Sequence, residues 1–303
     1  MSDIIAGQDI GSDVIGLIVD ALETAPEEIR EIHMLKKGMT NRSFCFRCGD
    51  KKYIMRIPGE GTGKLINRQQ EYEVYQVIQG YHICDRVHYI NPANGYKLTE
   101  FIEGAHVCDV NNWEEVKSCM QYLRQFHERK LEVGHSFDLW GHISYYESLW
   151  NGKQSIYDDY EETKRKIFEL KPYIDRQDIP RTLTHIDAVP DNFLLSENGE
   201  IRLIDWEYAG MQDPNVDIAM FAVYSFYDRK QVERLIDAYY PEGAPRQVRL
   251  NIYCYMAVCG LLWSTWCEFK QQQGVEFGEY SLRQYRYAGE YYDVFQEECK
   301  CMK

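Results

Sequence analysis

Ile10, Val14, Ile15, Ile18 and Leu22 recur at helical spacing, which predicts a first helix with Ser12 placed to cap it. The period then shortens. Runs at 29–35, 43–48 and 52–57 read as strands, the last two joined by the tight turn Cys48-Gly49-Asp50-Lys51. After a glycine-rich loop at 59–63, Leu65, Tyr72, Val74, Tyr75 and Ile78 predict a strongly polar helix ending near Gly80. Two more strands, 87–90 and 96–102, flank Asn91-Pro92-Ala93-Asn94-Gly95. The sum is a five-stranded antiparallel sheet with one long internal helix. Beyond Gly104 the pattern turns mostly helical, most clearly at 113–126. That change of texture sets the domain boundary at 103/104, with a short hinge, since no Ser/Pro-rich linker marks it. The fold class is α+β. No internal repeat or low-complexity tract is present.

Length and charge narrow this picture. A chain of 303 residues suggests roughly two domains of about 150 residues. Its 45% hydrophobic and 27% charged content is globular. The net charge of −14 repels phosphate backbones and anionic lipid, so neither nucleic acid nor a membrane surface is an expected partner. It suits a cationic small molecule, although solubility alone would explain it. Ten cysteines are scattered along the chain, and only Cys45 and Cys48 have C-x-x-C spacing. No second pair follows at zinc-site spacing, so a strand with Cys45 and Arg47 on one face and Phe44, Phe46 and Cys48 on the other is the better reading. Free thiols in this number suit a reducing compartment. The N-terminus lacks the pattern of a signal peptide, and the longest apolar run, 256–263, is far short of a membrane span. The expected location is the cytoplasm.

The candidate chemistry lies elsewhere than in the glycine-rich loop. Pro58 and Leu65 occupy positions that a Walker A loop needs for other residues, and Lys64 stands where a dinucleotide fingerprint needs glycine. That loop is a plain turn. The informative stretch is 183–210. Here a short apolar run leads to His185, Asp187 and Asn192, and a hairpin turning at Glu197-Asn198-Gly199-Glu200 carries Asp205 at its far end. Such a hairpin brings Asn192 and Asp205 together at its open end. Their oxygens are hard ligands, suited to Mg²⁺ on nucleotide phosphates. Asp187, five residues before Asn192, falls close enough to orient an attacking hydroxyl.

His185-x-Asp187-x4-Asn192 followed by Asp205 resembles the catalytic loop and metal-binding aspartate of the protein-kinase-like fold. His-x-Asp in place of His-Arg-Asp, and Asp205-Trp206-Glu207 in place of Asp-Phe-Gly, is similar to its small-molecule branch. Within that branch, 204–210 with Asp213-Pro214 and Asp217-Ile218-Ala219 resembles the choline/ethanolamine kinase family, bacterial choline kinases in particular. The resemblance runs from about residue 30 to 295 and is strongest at 183–219. It implies two lobes: 1–103, small and nucleotide-binding around the five-stranded sheet, and 104–303, larger, mostly helical, catalytic and substrate-binding. It makes Asp187 the catalytic base and groups His185 of the same loop with it as catalytic. Asn192 and Asp205, assisted by Glu207, become the metal ligands. Gly38 to Ser43 resembles the phosphate-covering turn, which puts Thr40, Asn41, Arg42 and Ser43 near phosphate oxygens. Arg56 replaces the usual lysine of the third strand and would pair with phosphates and with Glu71. Glu100 and Ile102 fall at the hinge that holds adenine. Outside this context, Arg56 and Glu71 would read as surface charges.

For the acceptor, Trp263 and Trp266 sit three apart on one helical face. Aromatics at this spacing are core residues in most helices. Here the pair matches the tryptophans that line a quaternary-ammonium pocket in choline kinases, with Phe277, Tyr280, Tyr224 and Tyr227 as further contacts. Tyr224 stands where eukaryotic members carry an acid, which leaves the counter-charge of the ammonium unassigned. The resemblance thus implies an ATP- and Mg²⁺-dependent kinase that phosphorylates choline. Kinases of ethanolamine, thiamine or an aminoglycoside remain open, as does a nucleotide-binding pseudokinase. Oligomeric state is not legible.

Overall fold

A computed structural model describes residues 10–35, 41–59 and 61–300. By contact the chain forms two compact units, Met1–Val107 with Asn192–Ala209, and Cys108–Asp191 with Gly210–Lys303. A single cut at 103/104 leaves out the return of 192–209 to the first unit. That return is fixed by strand pairing and by the Leu203 amide, which donates to the Ile83 carbonyl at 3.0 Å.

The first unit begins with α1 (Ser12–Leu22). Its cap is Gly11, with φ 87°, and no side chain caps it. Ser12 is therefore the first helical residue and not the cap, because the Gly11 carbonyl already accepts from the Ile15 amide. The strands β1 (Ile29–Met34), β2 (Asn41–Cys48), β3 (Lys51–Pro58), β4 (Val87–Ile90) and β5 (Lys97–Glu100) form one antiparallel sheet in the order β1-β2-β3-β5-β4. Phe44, Phe46, Met55 and Leu98 from the sheet and Val14 and Ile18 from α1 fill one core. Cys45 is buried on the opposite face of β2. The helix α2 (Arg68–Ile78) crosses from β3 to β4, capped by Asn67, whose side chain accepts from the Gln69 and Gln70 amides. Leu65 lies in the turn before it, outside the helix, because that cap starts the helix at Arg68. A second small sheet joins β6 (Ala105–Val107) to a later hairpin, described below.

The second unit is helical: α3 (Trp113–Glu128), α4 (Leu139–Ser148), α5 (Tyr160–Glu169) and α6 (Lys171–Asp175) precede β7 (Thr182–Thr184). The hairpin β8 (Phe193–Ser196) and β9 (Ile201–Leu203) then belongs to the first unit, and β8 pairs with β6. The chain re-enters the second unit at β10 (Gly210–Gln212), antiparallel to β7, and continues through α7 (Asn215–Tyr224), α8 (Arg229–Tyr239), α9 (Arg246–Gln271) and α10 (Glu279–Lys300). From Leu250 to Lys270 every residue of α9 is buried. A helix covered on all sides is the centre of its domain. Among the described residues no helix is long and apolar enough to cross a membrane, and the described cysteines are free thiols.

Where α9 crosses α10, Gly260 lets the backbones approach. A Cβ there would stand 2.6 Å from the Gln284 carbonyl oxygen and 2.9 Å from the Ala288 amide nitrogen. In an open helix Gly→Ala gains about 1 kcal/mol. Here the sign reverses, because two backbones must part. Gly260→Ala is expected to lower stability by about 1–3 kcal/mol, read as a fall in the urea midpoint at unchanged m-value. A higher midpoint would show that the crossing has slack.

Candidate active site

In the first unit two strands, a helix and a hairpin end bring six charged side chains together. Arg56 of β3 donates to both carboxylate oxygens of Glu71 on α2, one of these bonds at 2.9 Å, and to the Gly95 carbonyl at 3.0 Å. Arg68, one helical turn before Glu71, donates to Glu71 at 2.7 Å and to Glu207 at 2.9 Å. Glu207 also accepts from the Asn41 side-chain amide at 2.9 Å, and Asn41 Oδ1 accepts from Arg68 at 2.9 Å. Lys97 lies 4.0 Å from Glu71 and donates to the Tyr75 hydroxyl. Asp205 is reached by Arg56 at 3.8 Å.

Burial alone would raise the Glu71 carboxyl. Arg56 first, then Lys97 and Arg68, outweigh it and hold the group at about 2. Since the folded value lies below the unfolded one, near 4.3, this pairing stabilises the protein above pH 4 or so, and the contribution is lost as pH falls towards 2. Burial likewise opposes the Arg56 charge, but Glu71, Glu207 and Asp205 raise its pKa further.

Asp205 behaves differently. Burial, and next Glu207, push its carboxyl up, against the pull of Lys97 and Arg56. Its side chain is 37% accessible, so solvent screens part of that rise. Glu71, Asp205 and Glu207 can each present an oxygen within 4.8 Å of the others. Glu71 and Glu207 are engaged with guanidinium groups, which leaves Asp205 the least neutralised. An all-oxygen donor set with one under-neutralised carboxylate fits a hard divalent cation. Asn192 stands at the same hairpin end as Asp205: its carbonyl accepts from the Ile204 amide at 2.9 Å, and Asp205 follows at φ 65°.

The other nucleotide-side expectations are placed as follows. Thr40 lies outside the described residues. Arg42 rests over the Phe44 ring at 5.5 Å, and Ser43 pairs with Arg56 in the β2–β3 ladder. Asn41 is a strut between Glu207 and Arg68. The Glu100 carboxylate faces Lys51 at 2.7 Å and His88 at 3.5 Å, so its side chain stands outside the Arg56 cluster. The Ile102 amide has no hydrogen-bond partner among the described residues.

In the second unit β7 delivers the loop that begins at His185. Ile186 has φ 71°, a strained conformation for a β-branched residue. It is held by Asp217 of α7, fully buried, whose two oxygens accept from the Ile186 amide at 2.7 Å and the His185 amide at 2.9 Å. The His127 ring adds a contact to Asp217 at 3.0 Å and meets the Tyr239 hydroxyl at 2.8 Å. From Thr182 to Pro190 every side chain is buried except Asp187. His185, grouped with Asp187 as catalytic in the sequence reading, has no accessible surface; that removes it from contact with an acceptor and makes it part of the loop's support.

The aromatic residues form a series within this unit. Ring centroids run Trp263–Trp266 at 6.0 Å, Trp266–Phe277 at 5.7 Å, Phe277–Tyr280 at 6.1 Å and Tyr280–Tyr224 at 5.7 Å. Tyr227 is not part of it. Its ring stacks on Trp113 at 5.3 Å and its hydroxyl donates to the Val110 carbonyl at 2.6 Å, which makes it a core residue.

The profile of the choline/ethanolamine kinase family matches residues 32–256. The chain belongs to that family. Protein LicA of Haemophilus influenzae is 26% identical over 263 residues, covering 81% of this chain and 95% of the relative. The crystal structure of choline kinase LicA from Streptococcus pneumoniae is 28% identical, with a TM-score of 0.81 over 93% of this chain and 98% of that one. LicA in complex with AMP matches at 28% identity and a TM-score of 0.81, over 95% of this chain and all of that chain. The α+β fold is thus the protein-kinase-like one, and the enzyme is a kinase of choline or a related alcohol.

Two residues of this family member have no role in the sequence reading, Asp217 entering it only within the Asp217-Ile218-Ala219 motif. Arg68 carries a visible signal, its i,i+3 spacing to Glu71 behind a helix cap. Asp217 does too, as the lone acid in the otherwise apolar helical run Val216–Val223. Glu71→Gln is expected to cost about 3–5 kcal/mol, because it leaves Arg56 buried with a neutral partner. Urea denaturation at pH 7 measures it. A loss below about 1 kcal/mol, the usual value of an exposed pair, would mean that Arg56 finds other partners.

Proposed function

We propose that the enzyme transfers the γ-phosphoryl group of ATP to the hydroxyl of choline, with Mg²⁺ bound, to give phosphocholine. The aromatic series from Trp263 to Tyr224 carries this reading. A methylated ammonium is a diffuse charge clad in methyl groups, and each well-placed ring attracts it by about 0.5–2 kcal/mol. Burial is the first cause that pushes up the Tyr224 and Tyr280 hydroxyls, and the charges of Asp187 and Asp191 add to it. Those charges give the series an anionic end, which favours a cation. The Trp266 indole N–H is buried without a hydrogen-bond partner among the described residues, as for a ring placed for its face and not for its donor. The AMP complex of LicA and the pairing of Arg56 with Glu71 support ATP as donor. The free cysteines suit a cytoplasmic setting.

In this reading residues 1–103 serve the nucleotide and 104–303 supply the acceptor's groups. Asp187, the one accessible side chain between Thr182 and Pro190, orients the hydroxyl and takes its proton. Asn192 and Asp205 would hold the metal, which would draw charge from the phosphates, and Glu207 sets the field around Asp205. Arg56 neutralises phosphate charge under the control of Glu71, and the Ile102 amide is offered to the adenine. Because phosphoryl transfer has a loose transition state, these groups act by alignment and charge stabilisation.

Asp187→Asn should abolish turnover with nucleotide affinity nearly intact, whereas Asp205→Ala should also weaken Mg-ATP binding. Positioned acid–base groups contribute about 10²–10⁴-fold, so retention of more than a tenth of the wild-type rate in Asp187→Asn would sink the base assignment. On the acceptor side, ethanolamine is small and strongly hydrated and wants hydrogen-bond acceptors, not rings. Choline should exceed it in kcat/KM by at least roughly tenfold, about 1.4 kcal/mol of differential binding. Trp266→Ala or Tyr280→Ala should remove most of that preference by raising KM for choline, with little change in KM for ATP. Steady-state kinetics with both alcohols decides it; wild-type choline KM in both variants would return the series to the core.

A further inference from the structure

Asp191 is exposed, next to the buried Val189 and Pro190. The Tyr224 hydroxyl donates to its Oδ2 at 2.6 Å. No cation among the described residues pairs with it. A cation in the same group of rings, Arg283, lies over Phe226 at 4.8 Å, and Phe226 in turn meets Tyr280 at 6.0 Å. Tyr224 therefore has two functions at once: its ring continues the aromatic series through Tyr280, and its hydroxyl fixes one oxygen of a carboxylate at the end of that series.

We propose that Asp191, oriented by the Tyr224 hydroxyl, is the counter-charge for the acceptor's ammonium at the end of the aromatic series. This rests on the choline reading above. Rings alone hold a trimethylammonium group and its uncharged tert-butyl isostere by much the same contacts, apart from the cation–π attraction. A fixed carboxylate distinguishes them by charge. The loop geometry suits the division of labour. Asp187 and Asp191 sit four residues apart on one short loop, and both bear electrostatically on Tyr224 and Tyr280. Choline carries its hydroxyl and its ammonium on adjacent carbons, so one molecule can offer the first to Asp187 and the second to Asp191. Tyr224 is a positioning residue for the Asp191 charge.

The test compares choline with 3,3-dimethylbutan-1-ol, its uncharged isostere, in steady-state kinetics on the full chain and on Asp191→Asn, Asp191→Glu and Tyr224→Phe. Wild type should favour choline by at least about tenfold in kcat/KM. Asp191→Asn should lose about tenfold or more on choline, mostly through KM, while the isostere loses less than about threefold; losses of this order follow removal of one member of a close charge pair. Asp191→Glu should restore part of the preference, and Tyr224→Phe should move choline KM in the same direction by a smaller factor. Parallel losses on both alcohols in Asp191→Asn would show a role in loop structure alone and overturn the proposal while the choline reading stands. Wild-type choline KM in that variant would overturn it equally. A wild type that prefers the isostere, or turns over neither alcohol, overturns the choline reading and this proposal with it.

Discussion

One buried carboxylate sets the geometry of the second unit's chemistry. Asp217 has no accessible surface, and a carboxylate so placed is costly unless donors meet it. It is met by the amides of His185 and Ile186 and by the His127 ring. The two amides come from consecutive residues, so a single side chain dictates the path of the loop and supports Ile186 at φ 71°. Strain of this kind costs of order 1–3 kcal/mol and persists only where the surroundings over-determine it. What that cost achieves is visible one residue later. Between Thr182 and Pro190 the chain is buried on both sides of Asp187 and accessible at Asp187 alone. The Asp187 carboxylate is thus carried by a backbone that is pinned just before it.

The first unit solves the opposite problem, that of storing charge without quenching it. Arg56, Arg68 and Lys97 face Glu71, Glu207 and Asp205, three against three. The pairing is uneven. Glu71 receives both guanidinium groups, and Glu207 receives Arg68 and the Asn41 amide. Asp205 receives only a distant approach from Arg56, 3.8 Å away. A charge-balanced cluster can be buried, whereas a lone carboxylate beside another cannot ionise freely. The balance therefore secures α2 and β3 to the hairpin end, and the imbalance leaves Asp205 the least neutralised carboxylate of the cluster. Gly95 takes part by necessity: at φ 72° its carbonyl accepts from Arg56, and a Cβ would collide with Arg68 and Pro58.

The parts of this arrangement that were legible in the sequence are those carried by local pattern. Period-two runs bounded by turns gave the five strands, and the order of His185, Asp187, Asn192 and Asp205 marked the family. The element ends were less legible, since Ser12 and Leu65 have the right polarity but stand on the wrong side of a cap. The return of 192–209 to the first unit depends on long-range pairing of β8 with β6 and of Leu203 with Ile83, which no local window contains. Tyr227 and Tyr224 are alike in sequence, and only packing separates the core ring on Trp113 from the ring that meets Tyr280. Asp191 was hidden for a related reason: a loop acid next to a proline reads as solvated surface until the partner of its carboxylate is known.

The aromatic series shows why its position in the fold matters more than its composition. Cation–π attraction falls away unless the ring faces are held, and a flexible cage would spend much of its gain on ordering side chains. Trp263 and Trp266 stand on α9, the most enclosed helix of the unit, which α10 approaches closely at Gly260. The Trp263 indole is tied to the Met220 sulfur of α7, the helix that also carries Asp217 and ends at Tyr224. One short helix thus connects the anchor of the loop that carries Asp187, a support of the tryptophans and the hydroxyl that donates to Asp191. A core substitution that shifts α7 would move the Asp187 loop and the aromatic series together, so their mutual alignment is a property of the helix packing and not of the loop alone.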